Sequence, residues 1–475
     1  MRRCLAPTHD LVRTGTYDPA MTPLLDYLEH LHATHSAERG GEVATYIPEL
    51  ADVDPELFAI CLVMVDGTVY EVGDSRHEFT IQSMSKPLTY AMALDELGAD
   101  VVGARIGLEP TGDAFNAISL DPVTGQATNA MVNAGAITAA DLIHARHGDG
   151  ALDHLLGGYS KFAGRPLSVD RDVALSERVT GHRNRAIAHL LRGAGSMGDD
   201  VESSLDLYFN QCSVSVDCRG LGVIAATLAN GGRNPIDGTV AVSQPTVRQV
   251  LAVMSSCGMY DGAGRWIVSV GLPAKSGVSG GIIAVLPGQL GVAVFSPRLD
   301  GQGNSVRGVN VCRDLAATLG LHLVTSGRRS VNRKPMLRSL ADGGSRRRRP
   351  PEAIERLRLM GDEVLAIMLR GDVQFADAEY AVRVLVEAQG AAPTPASFVI
   401  VDLTRTDIVH ESLPRLLTPI ARDLVDRGGQ LGIAGVNDEL RVAALQQFSE
   451  TVTPIQIFDT LNAGFEWCED QLLAR

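Results

Sequence analysis

From Cys61 to Leu97 the chain reads CLVMVDGTVYEVGDSRHEFTIQSMSKPLTYAMALDEL. Two apolar runs, Cys61 to Val65 and Thr68 to Val72, flank Asp66-Gly67, a pair suited to the positive φ angles of a two-residue hairpin turn. The pattern then changes period, and the spacing predicts a helix over Ser83 to Leu97 that opens with Ser83-Met84-Ser85-Lys86. A serine and a lysine three residues apart share one helical face, so the amine can reach the hydroxyl. Serine is a weak nucleophile at neutral pH, and a lysine serves as its base when burial or nearby positive charge leaves it neutral. A helix N-terminus also aims backbone N–H groups at a developing oxyanion. Alone, the spacing is a weak signal, because many helices carry it as a capping serine and an exposed lysine.

Downstream, a mostly helical middle runs to about Gly231, and a second hairpin is predicted near Gly281 to Ser296, where Pro287-Gly288 cuts the longest apolar region. Strands at both ends of a helical insert predict one α+β domain whose sheet is assembled from distant segments. Before that hairpin, Leu272 to Gly281 reads LPAKSGVSGG, with a lysine, a hydroxyl and a glycine on a strand edge. The glycines let backbone approach a ligand closely. This element resembles the K-T-G that accompanies S-x-x-K in penicilloyl-serine enzymes. The two elements in that order point to serine acyl transfer.

The chain has 475 residues, more than one ordinary core accommodates, and its 45% hydrophobic and 21% charged residues suit a soluble globular protein. A formal net charge of −14 argues against a general nucleic-acid binder, whose footprint is basic. The 7 cysteines are scattered without CxxC spacing, which reads as reduced thiols and not as a disulfide framework or zinc site. The start, Met1-Arg2-Arg3-Cys4, lacks the apolar stretch of a secretory signal, and no run of about 18 apolar residues predicts membrane insertion. The expected address is cytoplasmic. His144 and His147, at i and i+3, form a possible metal pair on spacing alone, but no third ligand is evident from the sequence, and no metal is expected.

From Ser326 to Pro351 the chain reads SGRRSVNRKPMLRSLADGGSRRRRPP, a basic, Gly- and Pro-containing stretch expected to be a linker (326–351) between domains at 1–325 and 352–475. The Arg346 to Arg349 run could meet an anionic partner, but a solvated linker is the simpler reading. Beyond it, strands and helices alternate. Strands are predicted at Val364 to Leu369, Ser397 to Leu403, Leu431 to Val436 and Ile455 to Phe458. Helices are predicted at Ala376 to Gln389, Ser412 to Arg427, Asp438 to Gln447 and Thr460 to Leu473. Such alternation makes a small open α/β sheet.

Longer motifs carry a specific resemblance. Gly41 to Leu50 reads GEVATYIPEL, and Gln82 to Pro87 reads QSMSKP. Asn129 to Ile137 reads NAMVNAGAI, followed by Ser176-Glu177 through Arg183-Asn184, Leu207-Tyr208-Phe209 with Cys212-Ser213, and Ala226 to Gly232. Cys257 to Asp261 reads CGMYD, and the series ends at Gly303 to Gly308. In that order, over about residues 20–322, the chain resembles the serine-dependent glutaminases. The resemblance implies a β-lactamase-like α+β fold, hydrolysis of L-glutamine to L-glutamate and ammonia, no cofactor, and a homo-oligomer, dimer or tetramer. Carried over by position, it makes Ser83 the nucleophile, Lys86 its base and Tyr260 the proton donor to ammonia. The backbone N–H groups of Ser83 and Val278 become the oxyanion hole. Tyr46, Asn133, Glu177, Asn184 and Tyr208 match substrate-holding positions. Free glutamine presents an ammonium and a carboxylate, both of which need partners when desolvated; Glu177 suits the first, amides and tyrosine hydroxyls the second. Lys275 is of second rank.

The C-terminal part resembles a STAS domain, through Gly371-Asp372, Val401-Asp402-Leu403, the helix from Ser412 and Arg427-Gly428-Gly429. That resemblance implies a regulatory role with a protein partner. Ser412 stands where antagonists of this family carry a phosphorylated residue, but the flanking Asp and Gly are missing from His410-Glu411-Ser412-Leu413. Two other readings stay open on sequence: a β-lactamase or D-Ala-D-Ala peptidase, separable by nitrocefin turnover, and a non-catalytic scaffold. Missing secretion features argue against the first, and the intact catalytic positions against the second.

Overall fold

The apolar run after Phe58 becomes β1 (Ala59–Met64), and the turn at Asp66-Gly67 folds β2 (Val69–Gly73) back onto it. The computed structural model describes residues 22–111, 120–324, 334–436 and 455–475. The chain divides into two compact units, one of residues 31–329 and one of 330–475 together with residues up to 30.

In the unit of 31–329, short strands β3 (Phe79–Thr80) and β4 (Ser215–Val216) pair with each other. The main sheet adds β5 (Ala274–Ser276), β6 (Gly281–Leu286) and β7 (Leu290–Phe295) to the first hairpin. Its order is β2-β1-β7-β6-β5, and every pairing is antiparallel. β1 and β7, far apart in sequence, run side by side from Ala59↔Phe295 to Met64↔Leu290. The sheet is thus assembled from the two ends of a largely helical stretch. Every residue of β1, β6 and β7 is buried, which is why these strands read as continuous apolar runs. Helix Cys218–Ala229 covers them. It comes so close that a Cβ at Gly291 would stand 2.2 Å from the Ala226 amide nitrogen, so only glycine fits.

The unit that includes 330–475 holds a second five-stranded sheet of β8 (Met336–Ser339), β9 (Val364–Val373), β10 (Phe398–Val409), β11 (Gln430–Ala434) and β12 (Gln456–Phe458). β9 to β12 are parallel, while β8 joins the edge antiparallel to β9. Helices Phe375–Ala391 and Ser412–Asp426 pack together on the parallel strands. Val364, Ala366, Phe398 and Ile400 alternate onto the other face, in a core with Leu357, Phe465 and Leu472 of helices Pro351–Leu359 and Leu461–Ala474.

Three expectations need correction. The stretch read as a linker is not simply solvated: it contributes β8, and its arginine run ends in ion pairs, Arg347 with Asp470 at 2.8 Å and Arg349 with Glu469 at 2.6 Å. Sequence composition hides this because the partners are more than a hundred residues away. The strands at 364 and 398 extend past their predicted ends, β9 through Gly371-Asp372 and β10 to Val409, beyond a register shift between Asp402 and Arg405. And the helix expected from Ser83 begins as a 3₁₀ turn. The helix expected over Asp438 to Gln447 lies outside the described residues. Cys61, Cys212, Cys218, Cys257, Cys312 and Cys468 are buried free thiols; Cys4 is outside the described residues. Among the described residues no helix is long and apolar enough to cross a membrane.

Candidate active site

The Ser83 segment leaves β3 and is held on its far side by the Ile81 N–H, which donates to the Val214 carbonyl at 2.8 Å. Gln82–Ser85 is a 3₁₀ turn that passes directly into helix Lys86–Leu97, with Pro87 in the first turn where its missing N–H costs no hydrogen bond. Gln82 adopts φ 50° and Tyr260 φ 54°, and these are the only non-glycine residues with positive φ among those described. Left-handed backbone costs a side-chain-bearing residue of order 1–3 kcal/mol, and such strain collects at functional sites. Both strained residues touch this site: Gln82 precedes Ser83, and the Tyr260 hydroxyl hydrogen-bonds with the Ser83 side chain.

A buried network braces the turn. The Ser85 hydroxyl donates to the Gln82 carbonyl at 2.7 Å, and Tyr159 donates to the Ser85 carbonyl at 3.0 Å. Thr89 joins Tyr159 at 2.6 Å and Gln211 at 2.8 Å. With its polar groups satisfied, this layer holds the serine turn rigidly.

Lys86 is 0% exposed, and its Nζ donates to Asn133 Oδ1 at 2.7 Å. Burial lowers its pKa to about 8, slightly opposed by Cys212. Asn133, at the start of helix Asn133–His147, in turn donates through Nδ2 to Asn184 Oδ1 at 2.9 Å. Lys275, on β5, is equally buried; its Nζ donates to the Ser276 carbonyl at 2.7 Å and lies 3.8 Å from the Tyr260 ring centroid. Burial, and then the charge of Lys86, hold Lys275 well below the usual lysine range. Burial raises the Tyr260 phenol, partly offset by its hydrogen bond with Ser83.

Glu177 is buried on helix Arg171–Thr180, which Asp170 caps by accepting from the Asp172 and Val173 N–H groups. The Tyr46 hydroxyl donates to Glu177 Oε1 at 2.7 Å and lies 3.3 Å from Gln82 Oε1. Burial raises the Glu177 carboxyl, and hydrogen bonds with Tyr46 and Gln82 only partly restrain it. Tyr208, on helix Val201–Cys212, is buried and hydrogen-bonds with Cys212; burial first, then Cys212 and Glu177, push its phenol up.

Val278 lies in the turn after β5, where the Gly277 N–H donates to the Gly281 carbonyl and the Gly280 N–H to the Gly277 carbonyl, both at 2.9 Å. Its side chain packs with Ile47, Leu50 and Val173, flanking Tyr46 and Glu177 in the chain. The turn also lies against the serine segment: a Cβ at Gly277 would stand 3.1 Å from the Ile81 carbonyl oxygen.

Ser83, Lys86, Tyr260, Asn133 and Asn184 are therefore joined by side-chain hydrogen bonds in two adjoining groups, and Tyr46 and Glu177 form a third with Gln82. Sequence reasoning passed over Gln82 as a site residue; its polar type inside the QSMSKP motif was the available signal. It also placed Lys275 in the second rank; its Nζ lies over the Tyr260 ring. His144 and His147 do not act as a pair: His144 turns to Asp200 at 3.2 Å and His147 to Glu96 at 2.7 Å.

The family model described as Glutaminase matches residues 41–324. Glutaminase 1 of Bradyrhizobium diazoefficiens is 42% identical over 454 residues, 95% of this chain and 73% of that protein. A glutaminase of Nostoc sp. is 51% identical over 314 residues, 66% of this chain and 94% of its own length. The solved structure of Mglu in its glutamate form superposes with a TM-score of 0.63 at 35% identity, covering 87% of this chain and 98% of that one. The mixed α/β fold is the one these glutaminase structures share, and the chain belongs to the glutaminase family.

Proposed function

We propose that this glutaminase converts L-glutamine to L-glutamate through a seryl ester at Ser83. Neutral Lys86 takes the Ser83 Oγ proton as Oγ attacks the side-chain amide carbon of glutamine. The carbonyl electron pair moves onto oxygen, where the N–H groups of Ser83 and Val278 receive it. When the C–N bond breaks, Tyr260 gives the leaving nitrogen a proton, and ammonia departs. Water then attacks the γ-glutamyl ester, loses a proton to the same basic pair, and restores Ser83 as glutamate leaves. The observation that carries this reading is Lys86, wholly buried against an amide oxygen with a pKa of about 8, a lysine poised to be a base near neutral pH.

Glu177, with Tyr46 and Gln82 around it, takes the substrate ammonium, and Asn133, Asn184 and Tyr208 take the carboxylate and amide. The pattern favours free glutamine over glutamine within a peptide. The sheet with S-x-x-K at a helix start and K-S-G on its edge strand supports a β-lactamase-like architecture for 31–329. For the second unit, a four-strand parallel core with alternating helices supports a STAS-like domain with a regulatory, protein-binding role. A cytoplasmic homo-oligomer, dimer or tetramer, completes the reading, and light scattering of the full chain tests the assembly.

The test is glutamate release from L-glutamine, with asparagine as control, by wild type and Ser83→Ala. Wild type is expected to release glutamate selectively, and a folded Ser83→Ala to lose at least about 10⁴-fold. Turnover surviving in a folded Ser83→Ala protein would remove the ester mechanism.

A further inference from the structure

At the far end of the nucleophile's helix, Glu96, His147 and His154 bring one carboxylate and two imidazoles together, their ligand atoms all within 4.8 Å of one another. Glu96 lies in the last turn of helix Lys86–Leu97, His147 ends helix Asn133–His147, and His154 lies in the first turn of helix Ala151–Ala163. His147 Nε2 is 2.7 Å from Glu96 Oε2, and His154 Nε2 is 2.6 Å from Oε1. The two imidazoles stack face to face, with centroids 3.7 Å apart and planes 17° from parallel. Both Nε2 atoms therefore aim at a single carboxylate, and all three side chains are partly open to solvent. None belongs to the glutamine site.

We propose that Glu96, His147 and His154 form a binding site for a divalent first-row transition-metal ion of the zinc class. Two imidazole nitrogens and a carboxylate oxygen are the donor set such ions take in three-ligand sites, which leave a fourth position for water. Metal–ligand distances of about 2.0–2.2 Å would part the nitrogen and oxygen atoms to roughly 3.3 Å, an opening of less than about 1 Å from their present separations. Side-chain rotation that also unstacks the two imidazoles, so that both nitrogens converge on one ion, would supply that. Histidines and glutamate held on three rigid helix ends lose little freedom on binding. His144 is not a ligand, since it faces Asp200.

The position gives the ion a structural consequence. Helices Lys86–Leu97 and Asn133–His147 start at the hydrogen-bonded pair Lys86 and Asn133 and end at Glu96 and His147. A bound ion would clamp together the distal ends of the two helices that present that pair, and tie them to the start of the next helix.

The experiment uses the full chain after chelator treatment, with Zn²⁺ titrated by calorimetry and Co²⁺ followed by visible absorption. Wild type should take up Zn²⁺ at one site, give the visible bands of four-coordinate Co²⁺, and melt at a higher temperature with Zn²⁺ than without. His154→Ala and His147→Asn should each weaken Zn²⁺ binding at least about tenfold, and His144→Asn should leave it unchanged. Zn²⁺ uptake by His154→Ala equal to wild type, no uptake by wild type, or displacement of Zn²⁺ by equimolar Mg²⁺ would each overturn the proposal. Should His147→Asn fail to fold, the partly exposed His154→Ala carries the comparison.

Discussion

Lys86 and Arg349 are basic side chains drawn inward, one in each unit, and their pKa values move in opposite directions. Lys86 is completely buried, and its Nζ meets the neutral amide oxygen of Asn133. Arg349 is 9% exposed at its side chain, and it meets Glu469 at 2.6 Å and Asp470 at 2.8 Å. Desolvation disfavours the charged form in both places. It wins at Lys86, whose pKa falls to about 8. At Arg349 burial also acts downward, but hydrogen bonds to Asp470 and Glu469 outweigh it and the guanidinium is held more firmly charged. The first arrangement makes a base and the second makes a tether. What separates them is the charge of the partner, and this is the property that substitution can exchange.

The largest expected effect follows from breaking the first arrangement. Lys86→Met keeps the volume and removes the amine, and should lower kcat/KM about 10³-fold with the fold retained, as judged by circular dichroism. In wild type, kcat/KM should rise with pH and level off above about 8, because the proposed mechanism needs Lys86 neutral and it is protonated below that value. Asn133→Asp sharpens the comparison by giving Lys86 the kind of partner Arg349 has. The carboxylate should raise the lysine pKa and carry the acid limb upward by at least about one pH unit. An acid limb that stays in place would show that Lys86 is not the titrating base.

Breaking the second arrangement should cost stability and nothing else. Arg349→Ala takes the cation from the nearly buried Glu469 carboxylate, leaving it the Ser345 N–H and hydroxyl, and loss of a hydrogen bond to a charged group typically costs about 2 kcal/mol. Urea unfolding of the full chain should show a lowered transition, while kcat and KM at low temperature stay at wild-type values. A change in kcat would contradict a purely structural role for Arg349.

The two cations also show what the sequence discloses. The Ser83–Lys86 spacing was legible because both residues lie close together next to a D-G hairpin and a helix announced by periodicity, although Ser83 itself falls in the 3₁₀ turn before that helix. The β strands at 59, 69, 281, 364 and 398 were legible from local apolar pattern. Arg349 was read as linker because its partners lie at 469 and 470, and nothing local records a pairing across that distance. The edge strand Met336–Ser339 escaped for the same reason: its residues are exposed or half-buried, so no alternation of buried apolar residues announces it. Gln82 escaped because its part depends on a positive φ and on side chains from 46 and 177, neither of which residue type alone reveals. Local chemistry is written in local sequence, and pairings closed by the fold are not.

A smaller effect is expected at Glu177, whose buried carboxylate is proposed to pair with the substrate ammonium. Glu177→Gln keeps the shape and the hydrogen bond with Tyr46 but removes the charge. A hydrogen bond to a charged group contributes about 2 kcal/mol, so KM should rise about 30-fold with kcat changed much less. Steady-state kinetics with L-glutamine decides it. An unchanged KM would place the ammonium elsewhere and leave Glu177 as a support for Tyr46.

The smallest effect concerns Ser412, which on the proposed STAS-like reading stands where antagonists carry a phosphorylated residue. Here its side chain is 0% exposed and its hydroxyl lies 2.9 Å from His410 Nδ1, at the first residue of helix Ser412–Asp426. A hydroxyl buried against His410 is closed to a kinase without local unfolding. Ser412→Ala should therefore cost about 1 kcal/mol in the stability of the full chain, the size of the lost hydrogen bond with His410, with kinetics unchanged. Ser412→Asp should be worse, because it buries a charge at a position built for a small hydroxyl. If Ser412→Asp instead left stability intact and altered glutamine turnover, the second unit would be a phosphate-type switch. Its Ser412 would then belong with Lys86 among residues whose burial serves function, and no longer with Arg349.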